Sequence, residues 1–140
     1  MTTVSQMGRP TLEAIVLLAC RLLLAWIFLH EGAFLALNFE SAATGMAKLG
    51  VPLYALVATI VLQLAAGLAI AIGCYARPGA AALGLFCLAT AMLFHTNFAV
   101  RNELLHFEKD LAIAGGMFVL MLHGAGRWSI DGLCRDNRAA

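Results

Sequence analysis

The sequence predicts an all-α integral membrane protein, a four-helix bundle with both termini on the cytoplasmic side. Three observations carry that reading. Of 140 residues, 62% are hydrophobic and only 12% charged, against about 25% charged in soluble domains. Mean hydropathy is +0.88. Four separate stretches approach the ~20 apolar residues that cross a hydrocarbon core about 30 Å thick. A very hydrophobic soluble bundle would need polar faces at helical spacing. "YALVATIVLQLAAGLAIAIG" offers only Gln63 and the hydroxyls of Tyr54 and Thr59. The net charge of +1, without a basic cluster, gives no footprint for nucleic acid. The length suits one domain, 1–140, in a bacterial-type inner (plasma) membrane.

The first predicted helix covers 12–37. It is too long for a signal peptide, is interrupted by Arg21 and Glu31, and lacks a clear small-residue cleavage site, so it is read as retained. "NFESAATGMAKLGVP" leads to the second, 53–73, which Tyr54 and Tyr75 bracket. Their separation of 21 residues corresponds to about 32 Å of helix, the distance between two aromatic belts. "CYARPG" forms a tight turn, with Pro78 opening the third helix, 79–100. "NFAVRNELLHFEKD" is amphipathic and reads as an interfacial link to the fourth helix, 111–128, which Trp128 anchors. The termini and central turn hold Arg9, Arg77, Arg127, Arg135 and Arg138, and the other side holds Lys48, Arg101 and Lys109. That bias places the termini inside. Gly84, Ala91 and His95 on one face of the third helix, with Gly67, Gly115 and Gly116 elsewhere, fit close helix packing. Cys20, Cys74, Cys87 and Cys134 have no zinc or Cys-x-x-Cys spacing, and no metal site is expected. Cys20 and Cys87 fall at similar depth and read as small apolar residues, with a redox dithiol as the alternative.

Ionisable groups inside a span normally face a bundle interior, a partner or a cavity. Counted from the inner boundary, Glu31 lies about 28 Å up, His95 about 25 Å and Asp110 about 27 Å, with Lys109 just above. This predicts an outward polar pocket of Glu31, His95, Lys109 and Asp110. His30 points about 100° from Glu31. The alternative is a set of interfacial residues, with a Glu–Lys pair stapling the first helix to the fourth. Arg21 at about 14 Å and Gln63 at about 15 Å share a deeper level. Arg21 either anchors an anionic or carbonyl-bearing ligand such as a quinone head group, or bonds Gln63 and backbone carbonyls to fix the packing. For haem, only His95 and one outer histidine share a depth.

The residues resemble the DoxX family of small four-helix membrane proteins, from about Arg21 to Gly132. The resemblance is carried by Arg21, Gly32, "LGVP", "QLAAGLAIAIGCYARPGAAALGL", His95, "FEKDLAIAGG" and "GAGRWSIDG". The chain departs from the family pattern at Gln63, where a glutamate is usual, and at Leu35, where a lysine is frequent. The resemblance implies a membrane subunit of an oxidoreductase-type system, similar in one branch to the membrane subunit of a thiosulfate:quinone oxidoreductase. Arg21 would then hold a quinone carbonyl, with His95 and Glu31 handling protons as the catalytic candidates. The alternatives are a non-catalytic docking subunit bound to a partner protein or to further copies, and, ranked last, a small-solute transporter.

Overall fold

A computed structural model describes residues 9–139, and within that range the side chains of residues 11–134. The elements are α1 (Arg9–Leu37), α2 (Phe39–Lys48), α3 (Leu53–Ile72), α4 (Ala76–Phe94), α5 (Arg101–His123) and α6 (Ile130–Ala139). The architecture is all-α. Among the described residues, α1, α3 and α4 are long and apolar enough to cross a membrane. The stretch expected as the fourth span lies in α5, which begins ten residues early, at Arg101, and so carries Glu103, Glu108, Lys109 and Asp110.

The helix ends follow local chemistry. Pro52, in extended conformation, precedes α3, and Gly73 closes it in the left-handed region, its N–H bonded to the carbonyls of Ala69 and Ile70. Only two residues separate Gly73 from α4. Tyr75 takes a φ of 53° there, which is costly outside glycine. The Asp131 carboxylate holds it by accepting the N–H groups of Tyr75 and Ala76, both at 3.1 Å. Helix α4 therefore starts at Ala76 and not at 79, with Pro78 in its first turn, where no intrahelical N–H is needed. It stops at Phe94 and not near 100, because His95 leaves helical geometry and turns toward α5. Helix α5 ends at His123, before Gly124 (φ 77°), so Trp128 sits in a connecting segment, not at a helix end. The 38–52 link contains α2, none of whose residues is buried.

Helix α1 packs along α3, and α4 along α5. A Cβ on Gly32 would lie 3.1 Å from the Gln63 Cβ, one on Gly67 would lie 3.2 Å from Leu29, and one on Gly84 would lie 2.9 Å from Phe118. These approaches fix the register. They also correct the depth count. Gln63 stands beside Gly32, eleven residues along α1 from Arg21, or about 16 Å. Arg21 is instead level with Gly73. The count assumed that α3 ends level with Leu12, whereas the first three turns of α1 run past α3. Glu31 is correspondingly deep. It lies about level with Gln63, some 15 Å along α3 from Leu53. The core fills the half of the bundle toward Gly73: Phe28, Ile70, Leu83, Cys87 and Met117 are buried there. The half toward α2 is hollow. Cys20 is exposed while Cys87 is in the core, so the two do not form a shared dithiol.

Candidate functional site

The hollow half holds a cavity of about 830 Å³ between α1, α3, α4 and α5, roofed by the segment from Met46 to Pro52. Its volume is within the ~300–1,000 Å³ of small-molecule sites. The walls are mainly apolar, with Ile27, Phe86 and Ile113 among them. Glu31, His95, Lys109 and Asp110, grouped by depth in the sequence, all line it, and Gln63 joins them. Arg21 does not.

Each polar group is set by its helix. Gln63 is 7% exposed, and its Oε1 is buried without a hydrogen-bond donor. An unsatisfied buried acceptor costs about 1–3 kcal/mol. Asp110 is half-buried, and its Oδ2 accepts the Thr90 hydroxyl at 3.0 Å, tying α5 to α4. His95 Nδ1 meets Glu103 Oε2 at 2.8 Å, and its ring stacks on His106 at 5.1 Å. Glu31 is paired with His30 at 3.8 Å, both well exposed. The expected staple from Glu31 to Lys109 is not among the ion pairs of the described residues. Thr90 and Glu103 were missed in the sequence. Thr90 reads there as an ordinary helical threonine, and Glu103 falls in a stretch that looks like an interfacial link. Their signal is the pairing of α4 with α5, which sequence spacing does not reveal.

Arg21 belongs to the other end. It is 3% exposed, and its Nη1 and Nη2 donate to the carbonyls of Ala125 (2.7 Å) and Trp128 (2.9 Å). Its Nε is buried without a partner. The backbone-carbonyl part of the packing expectation is present, with the 124–129 segment in the place expected for Gln63. Ser129 extends the knot: its hydroxyl donates to the Gly126 carbonyl at 2.5 Å and accepts the Gly132 N–H at 3.0 Å. The Asp131 N–H bonds the Gly73 carbonyl at 2.9 Å. A guanidinium beside the C-terminal ends of α3 and α5 meets their negative poles. The arrangement closes this end of the bundle, with both terminal nitrogens of Arg21 engaged by backbone.

The family model described as DoxX matches residues 16–96. The chain belongs to the DoxX family. The match contains Arg21, Glu31, Gln63 and His95, and it stops before α5. This DoxX protein is 37% identical over 122 residues to inner membrane protein YqjF of Escherichia coli (strain K12), covering 87% of the chain and 94% of that relative. It is 30% identical over 124 residues to inner membrane protein YphA of the same strain, covering 84% and 89%. No solved structure matches it. With three helices fit to cross a bilayer among the described residues, the DoxX protein is a multi-pass protein of a bacterial-type inner membrane.

Proposed function

We propose that this DoxX protein is the membrane subunit of an oxidoreductase-type system, and that its cavity takes the ring of a quinone-like molecule. The observation that carries the reading is Gln63, a buried carboxamide with an unpartnered oxygen on the wall of an otherwise apolar cavity. A carboxamide offers a donor to a ring carbonyl and an acceptor to a ring hydroxyl. A quinone supplies two-electron, two-proton chemistry when bound. Asp110 and Glu31 provide carboxylates near the ring, and the His95–Glu103 pair at the cavity mouth moves protons to the surface. In this reading α5 is the fourth span, residues 1–140 act as one unit, both termini face the cytoplasm, and the cavity opens outward. Arg21 holds the fold together, and Lys109 and Asp110 flank the ligand. A second reading, a non-catalytic docking subunit, is favoured by the fact that His95 and Glu31 each already have a side-chain partner.

Native purification tests the choice. Lipid extracts of the wild-type protein are expected to contain quinone, and extracts of Gln63→Leu, purified to equal yield, are expected to lack it. A folded wild-type protein that carries no quinone and binds no added short-chain ubiquinone would sink the redox reading in favour of docking.

A further inference from the structure

Helices α1, α3, α4 and α5 form two close pairs. Along α1 and α3, Gly67 receives Leu29 and Gly32 receives Leu64. Along α4 and α5, Gly84 faces Phe118, Thr90 bonds Asp110, and His95 meets Glu103. Pair meets pair toward the Gly73 end. A Cβ on Gly79 would lie 3.5 Å from Ile70 Cγ1, and one on Gly116 would lie 3.2 Å from Leu24. Toward α2 the cavity separates the pairs, so it has two side seams, one between α3 and α4 and one between α1 and α5. Counted at equal rise from the Gly79 approach, Ala89 stands about level with Thr59, and Leu93 with Ala55. Leu93 is 72% exposed and Ala89 is also exposed, although both line the cavity. The α3–α4 seam is therefore open to the side at that depth, and it is apolar but for the Thr59 hydroxyl. On the α1–α5 seam Ile27, Glu31 and Lys109 are likewise both exposed and cavity-lining. Here an ionisable group stands on each helix, and among the described residues the two form no ion pair.

We propose that the ligand is a lipid-phase quinone with a single long apolar tail, that its ring stands at Gln63, and that its tail leaves the cavity through the α3–α4 seam into the bilayer. The inference rests on the quinone reading of the cavity and adds the path of the tail. The chemistry of the two seams decides that path. A tail laid across the α1–α5 seam would strip water from Glu31 and Lys109, and an ionised group without water or a partner is costly. Across the α3–α4 seam the tail meets Ala55, Ala89 and Leu93, and the apolar area it covers there adds to binding. Gln63 lies four residues from Thr59 on the same stripe of α3, so a ring hydroxyl that donates to its Oε1 sits just inside that opening. A cavity of about 830 Å³ has room for the first part of a tail beside the ring. The α1–α5 seam stays hydrated, so protons and tail use opposite sides of one cavity.

The full chain in lipid nanodiscs tests it, with ubiquinone carrying a diazirine midway along a decyl tail as the probe. Irradiation is expected to attach the probe to α3 and α4 at the seam, around Thr59 and Ala89, and excess decylubiquinone is expected to abolish the labelling. Ala89→Trp fills the seam and is expected to weaken decylubiquinone binding roughly tenfold, with tail-less ubiquinone changed by less than about twofold. Competable labelling confined to α1 or α5, its absence while either quinone binds, or losses in Ala89→Trp that are absent or equal for the two quinones would overturn the proposal and leave the quinone reading standing. Binding of neither quinone to the folded wild-type chain would overturn both. The labelling uses the wild-type chain, so a folding defect in Ala89→Trp does not decide the outcome.

Discussion

The two ends of the bundle use the same helices and similar residues in opposite ways. At the Gly73 end, the terminal nitrogens of Arg21 are bonded to backbone carbonyls, Asp131 caps α4, and a Cβ on Gly73 would collide with Ser129. At the α2 end, the Gln63 Oε1 lacks a donor, Lys109 is exposed, and the helices stand around a cavity of about 830 Å³. Closed polar networks hold a fold together, whereas incompletely satisfied ones in a cavity are where ligands are recognised. In the proposed reading one end serves stability and the other binding, and mutations at the two ends should separate the two properties.

The largest effect is expected from Arg21→Ala, which strands the carbonyls of Ala125 and Trp128. With two charge-assisted bonds lost, unfolding free energy in detergent should fall on the order of 3 kcal/mol. Arg21→Lys should recover only part of it, because one ammonium cannot match the planar fork. Gly73→Ala comes next. The left-handed φ of 72° and the 2.7 Å approach to Arg21 Nη1 should together cost about 2–4 kcal/mol, read as a lower melting temperature. Asp131→Ala removes the cap of α4 and should cost about 1 kcal/mol, with faster amide exchange at Tyr75 and Ala76. The smallest effect on stability belongs to the other end. Gln63→Leu removes an unsatisfied buried acceptor and should leave the melting temperature unchanged or slightly raised, while retention of a bound small molecule is lost. A large destabilisation by Gln63→Leu, or a mild one by Arg21→Ala, would collapse the division between the ends.

The long apolar helices were legible because an uncharged run of such length has few other structures open to it. Depth counting put Glu31, His95, Lys109 and Asp110 at one level; all four line one space, although Glu31 stands level with Gln63. Gln63 was paired with the wrong residue, because counting needs a common origin and the overhang of α1 past α3 has no local signature. The overhang shows only in the contact of Gly32 with Gln63, a fact about two helices. His95 was read as helical because the apolar run continues to Phe94 beside it. What ends α4 there is its partner across the turn, Glu103. Asp131 lies in the "GAGRWSIDG" stretch that carries the family resemblance, but its role at the start of α4 depends on contacts 55 and 56 residues away.

The Arg21 knot also imposes an order on the making of the protein. The acceptors of Arg21 lie 104 and 107 residues downstream. At about 5–20 residues per second, the ribosome needs roughly 5–20 s to supply them after Arg21 emerges. Throughout that interval the first helix carries a permanent cation with none of its final acceptors. It must wait with that charge in water, at the headgroups or against the insertion machinery, and it takes its final depth only when the last tenth of the chain is made. Truncation before Ala125 would therefore remove more than a tail: it would leave the first helix without the contacts that set its depth.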